Sequence, residues 1–318
     1  MIEESGRAHR AIYLAGPTAS GKTAVGVALA NRLDADVLAL DSMTLYRGMD
    51  IGTAKPGAEE RGGVAHHLMD ILDPWESASV AEYRARALAT LAEIEARGRR
   101  ALFVGGTALY LKAMLRGLFH GPAADPDLRR DLEAEADRLG DPALHARLLR
   151  LDPVTAARLH PNDRRRVVRA LEVFATTGRP LSVHQTEHGR PALGVLVVAL
   201  ERPRDELRAR IDRRAARMFA DGLVEEVRTL QAGPRPPSEV AAQAVGYREV
   251  IDLLERRSTV AEALALVQAR SRQFAKRQST WFRGLTEVRA WPVAADESPE
   301  TTADRLADWV ADRGHGTG

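Results

Sequence analysis

Gly16-Pro17-Thr18-Ala19-Ser20-Gly21-Lys22-Thr23 fits the pattern G-x-x-x-x-G-K-T. It stands between a short apolar run, Ala11–Ala15, and a segment of helical periodicity, Thr23–Leu33. That strand-to-helix context gives the pattern its meaning. Glycines let the backbone curl so that successive N–H groups point inward, and a helix starting there adds the positive end of its dipole, which together bind anions. Lys22 would add a point charge to a bound di- or triphosphate, and the Thr23 hydroxyl is placed to bind Mg²⁺. The chain has only four lysines, Lys22, Lys55, Lys112 and Lys276, against 42 arginines. A site that demands a compact charge would explain why lysine persists at position 22.

A phosphate cradle alone does not say whether a phosphoryl group moves. An NTPase or kinase usually also ends a strand on an acidic residue that holds the metal. Here the run Ala101–Val104 ends in Gly105-Gly106-Thr107, and the nearby strand-end acid is Asp41, after Val37–Leu40. The equipment for hydrolysis is thin, which argues against an ATPase. In a parallel sheet the carboxyl ends of the strands line the ligand crevice, so the loop, Asp41 and Thr107 should share one edge. There Asp41 could take a proton from a nucleophile or hold metal-bound water. It could equally be a turn or cap residue. Thr107 could cap the helix Ala108–Leu118, but Tyr110 stands where a capping box wants Glu or Gln.

These residues need a scaffold, and the pattern of the chain supplies one. Short apolar runs alternate with helical segments such as Ser79–Arg97, and Gly194–Leu200 and Val288–Trp291 return to strand character. This predicts an α/β protein: a phosphate-loop core with a mostly parallel, doubly wound sheet. From Gly117 to Pro191 the character changes. Prolines 122, 126, 142, 153 and 161 each precede a short helical pattern, and no strand-like run occurs. An inserted all-helical domain is predicted there, giving core 1–117, insertion 118–192, and core with C-terminal helices 193–318. The helices expected in the last part are Arg204–Ala220, Leu223–Gln231, Val245–Leu254, Thr259–Arg283 and one after Pro299. The stretch Arg313–Gly318 is expected to lack order.

Composition narrows the class further. At 318 residues, 45% hydrophobic and 28% charged, the chain reads as globular rather than disordered or fibrous. It has no cysteine, so disulfides, thiolate catalysis and cysteine-ligated zinc are excluded. No run approaches the ~18 apolar residues of a membrane span, and the polar start lacks a signal-type apolar region, so a cytoplasmic protein without a membrane partner is expected.

Longer blocks surround the candidate residues. Asp41-Ser42 leads into Tyr46-Arg47-Gly48-Met49-Asp50-Ile51-Gly52-Thr53-Ala54-Lys55-Pro56. After it come His66-His67-Leu68-Met69-Asp70, Val104-Gly105-Gly106-Thr107 and Leu159-His160-Pro161-Asn162-Asp163. Val245-Gly246-Tyr247-Arg248 and Lys276-Arg277-Gln278-Ser279-Thr280-Trp281-Phe282-Arg283 complete the series. With the glycine loop these blocks resemble, in order, the bacterial tRNA dimethylallyltransferase (tRNA isopentenyltransferase) family, from residue 12 to 292. Many families share the loop, whereas the DIGTAKP and KRQ-x-TW-x-R blocks are specific to this one.

The resemblance implies transfer of a dimethylallyl group from dimethylallyl diphosphate to N6 of the adenosine just 3′ of the anticodon of tRNA, releasing diphosphate. It implies that Gly16, Pro17, Thr18, Ala19, Ser20, Gly21, Lys22 and Thr23 grip the donor's diphosphate rather than ATP. Asp41 would be the general base, with Thr107 hydrogen-bonding nearby. Lys22, Thr23, Mg²⁺ and Arg214 would neutralise the departing diphosphate, with Arg213 and Arg217 as alternatives to Arg214. Thr23 would be the metal ligand, and Asp41 a candidate second. Contacts to the tRNA anticodon stem-loop would fall on Asp41, Ser42, Met43, Thr44, Thr107, Arg129, Arg165, Arg166, Val167, Val168 and Arg169. They would continue through Gln243, Ala244, Val245, Gly246, Tyr247 and Arg248, then Lys276, Arg277, Gln278, Ser279, Thr280, Trp281, Phe282 and Arg283. A monomer is expected. An exocyclic adenine amine is a weak nucleophile, so catalysis must stabilise charge developing on the leaving diphosphate.

The charge pattern agrees with a nucleic-acid partner. The net charge is only +2, yet Arg158–Arg190 holds seven arginines against three acids, and Arg270–Arg289 six basic residues against Glu287. A solvated face on an arginine-rich chain is the plainer alternative. His66-His67 lack a third ligand and read as structural, and Trp75 and Trp309 as packing. The rival functions are a phosphate-loop kinase of a small metabolite, an adenylate isopentenyltransferase acting on free nucleotide, and an RNA-binding module with a vestigial site.

Overall fold

The computed structural model describes residues 11–118, 121–122, 125–187 and 195–314. Gly194, Arg190 and residues 315–318, which the sequence places in a strand, a basic run and a tail, lie outside them. Six strands form one sheet: β1 (Ile12–Ala15), β2 (Ala35–Ala39), β3 (His66–His67), β4 (Arg100–Gly105), β5 (Leu196–Glu201) and β6 (Val288–Pro292). Their order is β3-β2-β4-β1-β5-β6, and every pairing among the described residues is parallel.

Successive side chains of a strand point to opposite faces, and here both faces are covered. Ile12 and Leu14 of β1, with Leu102 and Val198, pack against Val25 and Leu29 of α1 (Lys22–Leu33). Ala303, Leu306 and Val310 of α14 (Pro299–Gly314) complete that layer. Tyr13 and Ala15 face the other way, with Phe103 and Val197, towards Tyr83, Leu91 and Ile94 of α2 (Val80–Ala96). The Tyr13 and Phe103 rings stack with centroids 4.8 Å apart, as their register across β1 and β4 dictates. Arg313 and Gly314 belong to α14, so the expected loss of order does not begin at 313: the helical pattern simply runs on.

The two-residue strand β3 has no sequence signal, since it lacks an apolar run. It extends the sheet because Val37 and Leu38 pair with His66 and His67. His67 Nε2 lies 2.9 Å from the buried Asp36 carboxylate and His66 Nδ1 2.9 Å from the Val64 carbonyl. No group of three or more potential metal ligands occurs among the described residues.

Strand registers place the ends of β1, β2 and β4 on one edge. Ala15 is opposite Gly105, and Ala39 opposite Val104. Beyond them the Thr107 N–H donates to the Leu40 carbonyl at 3.1 Å. A Cβ on Gly105 would collide with that same carbonyl, so glycine is what lets the two strand ends close.

The described residues form two compact units, divided between Leu115 and Arg116 and again within the segment 188–194. The sheet lies in one. It also holds α3 (Ala108–Arg116, up to Leu115), α9 (Arg204–Ala220), α10 (Leu223–Gln231), α11 (Glu239–Ala242), α12 (Tyr247–Leu254) and α13 (Val260–Arg283). The other unit is wholly helical among its described residues: α4 (Pro126–Leu139), α5 (Asp141–Leu151), α6 (Pro153–Ala156), α7 (Arg164–Thr177) and α8 (Leu181–Glu187).

In the helical unit Pro126, Pro142 and Pro153 sit in first turns, whereas Pro122 and Pro161 lie in the connections, and the Asp125 and Asp152 side chains accept from backbone N–H groups to cap α4 and α6. Leu132, Leu144, Leu148, Val167, Val168 and Leu171 form its core. Inside lies Glu172, fully buried, accepting from Arg129 Nε at 2.9 Å, Arg169 Nη1 at 2.6 Å and the Asp125 N–H at 2.8 Å. Burial opposes its ionisation, but these donors outweigh burial and hold the carboxyl below its usual range. This stabilisation is present above the ordinary glutamate pKa and lost as pH falls through the depressed value. Glu172→Ala, which leaves two guanidiniums facing a void, is expected to cost about 3 kcal/mol in denaturant unfolding at neutral pH. The deficit should shrink on acidification, and a deficit independent of pH would show that the ion pairs contribute nothing.

Candidate active site

The glycine loop leaves β1 and enters α1, whose N-cap, Gly21, makes no side-chain cap hydrogen bond. The first-turn N–H groups of a helix have no partner inside it, so here they are available to an anion. The loop's carbonyls are tied from outside. Arg202 Nε donates to the Ser20 carbonyl at 2.8 Å, and Arg210 Nε to that of Ala19 at 2.9 Å. A trans peptide carries its C=O and N–H on opposite sides, so fixing the Ser20 carbonyl outward turns the Gly21 N–H inward.

Two cations lie over this cradle. Lys22 Nζ donates to the Pro17 carbonyl at 3.3 Å. Burial and the nearby Arg214 guanidinium push its pKa down to about 8, against the pull of Asp41. Arg214, on α9, reaches Thr18 Oγ1 and the Thr53 carbonyl, each at 3.4 Å. Burial lowers its pKa also, with Asp41 again opposing. Of the three arginines open from sequence, Arg213 is exposed and Arg217 pairs with Asp221 at 3.2 Å, so only Arg214 meets the loop.

Asp41 and Thr107 meet at the adjacent strand ends. Thr107 Oγ1 accepts from the Ser42 N–H at 3.0 Å instead of capping α3, and Asp41 Oδ1 accepts from the Met43 N–H at 2.9 Å. Asp41 is thus a turn residue through one oxygen, which leaves the other for chemistry. The Thr23 hydroxyl, at the start of α1, is half-buried and offers a hard oxygen suited to Mg²⁺.

The loop that follows Asp41 is held by two residues that the sequence left without a role. Lys55, buried, donates to the Tyr46 carbonyl at 2.7 Å, Asp50 at 2.5 Å and Asp70 at 2.6 Å. Glu226 accepts from the N–H groups of Asp50, Ile51 and Gly52 at 2.9, 2.7 and 3.1 Å, and from the Tyr247 hydroxyl at 2.6 Å.

Comparison with known proteins places this arrangement. A family model described as IPP transferase matches residues 44–285. The chain belongs to the IPP transferase family. It is 46% identical over 281 residues to the tRNA dimethylallyltransferase of Geobacter metallireducens, covering 88% of this chain and 91% of that one. It is 50% identical over 274 residues to the tRNA dimethylallyltransferase of Symbiobacterium thermophilum, covering 86% of each. Its fold is similar to the crystal structure of the full-length tRNA isopentenylpyrophosphate transferase from Bacillus halodurans, with a TM-score of 0.72, 39% identity and 97% of both chains covered. It is also similar to a eukaryotic dimethylallyltransferase acting on tRNA, with a TM-score of 0.77, 25% identity, and 96% of this chain and 79% of that chain covered.

In this IPP transferase the positions that the resemblance assigns to RNA separate by exposure. Arg165, Arg166, Gln243, Arg248, Lys276, Arg277, Thr280, Trp281 and Arg283 are exposed. Ser42, Met43, Thr107, Arg169, Ala244, Val245 and Ser279 are partly so, as is Arg129. Thr44, Val167, Val168, Gly246, Tyr247, Gln278 and Phe282 are buried, which leaves their side chains no surface for RNA. Tyr247 holds Glu226, Val167 and Val168 fill the helical unit, and Arg129 and Arg169 already serve Glu172. Arg202, Arg210 and Glu226 carried no motif. For Arg210 the signal was its four-residue spacing from Glu206 and Arg214, which share one row of α9, whereas Arg202 precedes that helix and Glu226 lies on α10.

The lowered pKa of Lys22 gives a sign for diphosphate binding. The anion favours the ammonium form, so binding takes up a proton above pH 8, and affinity falls as pH rises through about 8. Titration calorimetry with dimethylallyl diphosphate in buffers of different ionisation heats should show this uptake. A Lys22→Arg variant should lose the pH dependence. Equal affinity of the wild type at pH 7 and pH 9.5 would contradict the lowered pKa.

Proposed function

We propose that the chain transfers the dimethylallyl group of dimethylallyl diphosphate to the exocyclic N6 of the adenosine 3′-adjacent to the anticodon of a tRNA. The observation that carries this reading is the meeting, at one sheet edge, of a cradle bearing Lys22 and Arg214 with the carboxylate of Asp41. Membership of the IPP transferase family and relatives named tRNA dimethylallyltransferase supply the reaction class.

The donor's diphosphate occupies the loop, with Lys22, Arg214 and the first N–H groups of α1 facing its oxygens. As the allylic C–O bond breaks, the electron pair leaves with the diphosphate, and these groups stabilise the charge it gains. The N6 lone pair forms the new C–N bond. Asp41, one oxygen fixed by the Met43 N–H, takes the departing proton on the other. Thr107, locked to Ser42, keeps the two strand ends in register beside it. The Thr23 hydroxyl would hold Mg²⁺, which would add further neutralisation of the leaving group. The exposed arginines of α7 and the exposed face of α13 fit a phosphate backbone.

The test is incorporation of labelled dimethylallyl diphosphate into an unmodified tRNA with adenosine next to the anticodon, beside tubes holding AMP as acceptor or labelled ATP alone. Label in tRNA only is the expected outcome. Label in AMP, or ATP turnover without transfer, would overturn the assignment. Asp41→Ala should lower kcat at least a hundredfold, on the order of what a general base contributes, while tRNA affinity stays near that of the wild type. Retained turnover in that variant would remove Asp41 as the base.

A further inference from the structure

Gln278 lies on the buried row of α13 with Ala275 and Phe282, and is only 5% exposed. Its Oε1 accepts from the Thr18 N–H at 2.8 Å, and its Nε2 donates to the Gly106 carbonyl at 2.8 Å. The partners fix the orientation of the amide, since a backbone N–H needs an acceptor and a carbonyl a donor. One carboxamide therefore joins the diphosphate loop to the end of β4, one residue before Thr107. The approach is tight: a Cβ on Gly106 would collide with Gln278 Nε2 and meet the Gly16 carbonyl at 3.3 Å. Gly106 is not in a left-handed conformation, so its glycine answers to this contact and not to backbone strain.

A neighbouring row of the same helix, Phe274, Arg277 and Trp281, is exposed, Trp281 being 45% exposed. The block that resembles an RNA-binding motif thus carries two functions on two faces. We infer that Gln278 is a positioning residue for the donor diphosphate: it holds the Thr18 peptide and the Gly106 strand end in one register. The diphosphate is the ligand of the functional reading above, on which this inference rests.

Three variants separate the role from simple packing. Gln278→Met keeps the length and loses both hydrogen bonds. Gly106→Ala displaces the carboxamide without altering it. Gln278→Glu retains the acceptor for Thr18 but carries a donor towards Gly106 only when protonated.

Binding of dimethylallyl diphosphate is read by calorimetry, and binding of an anticodon stem-loop RNA by fluorescence anisotropy. Gln278→Met and Gly106→Ala are expected to raise the donor Kd and KM about tenfold, as two backbone groups lose their partners, with stem-loop Kd unchanged. The intact stem-loop affinity shows that the variants fold. Relative to wild type, Gln278→Glu should regain donor affinity as pH falls.

Wild-type donor affinity in Gln278→Met and Gly106→Ala would overturn the inference alone, as would a rise confined to the stem-loop Kd. A wild-type chain that binds no dimethylallyl diphosphate would overturn the functional reading and this inference with it.

Discussion

A cradle of backbone N–H groups can face an anion only if the carbonyls of the same peptides are held elsewhere, because each trans peptide bears both. The rest of the site depends on that constraint. Arg202 and Arg210 hold the carbonyls of Ser20 and Ala19, Gln278 takes the Thr18 N–H, and Lys22 caps the Pro17 carbonyl. Arg202, Arg210 and Gln278 act on the backbone of the loop, and with the carbonyls so held the first turn of α1 keeps its N–H groups for an anion. The groups that supply most of these contacts are distant in sequence: Arg202 just before α9, Arg210 within it and Gln278 towards the end of α13. The loop is a local motif with a non-local support.

Charge follows the same division. Lys22 and Arg214 repel each other in a buried setting, and Asp41 offsets part of the cost. An incoming diphosphate would relieve what the carboxylate relieves only in part. A bound diphosphate would thus favour the charged form of both groups. Glu226 acts oppositely on the neighbouring loop: one carboxylate collects three backbone N–H groups and the Tyr247 hydroxyl. It shapes the segment whose Thr53 carbonyl receives Arg214.

The sheet and most helices were legible because their periodicity is local. Tyr13 and Leu14 alternate faces, and Arg204–Ala220 and Leu223–Gln231 fall where the pattern put them. The strand β3 was not legible, since two histidines carry no strand signal and gain one only beside Val37 and Leu38. Gly16–Thr23, Asp41 and Thr107 could be read as a set because parallel strands deliver their ends to one edge. What could not be read is which face of α13 or α12 is buried. A motif gives residue types in order, and burial turns Gln278, Phe282 and Tyr247 inward while leaving Arg277 and Trp281 outside.

The scarcity of lysine also resolves in part into geometry. Where this chain must grasp a carbonyl or carboxylate from the side, it uses arginine, as at Arg202, Arg210 and Arg129, whose planar forks reach along a surface. At Lys55 the acceptors, the Tyr46 carbonyl and the Asp50 and Asp70 carboxylates, converge on one buried point at 2.5–2.7 Å. Three donors on a single nitrogen match that convergence, and a guanidinium, with its donors spread over a plane, does not. At Lys22 the same compactness lets a cation sit within the curl of the loop itself. Both lysines thus occur where acceptors of a tightly turned backbone converge on one point, Lys22 in the loop after β1 and Lys55 in the loop after Asp41.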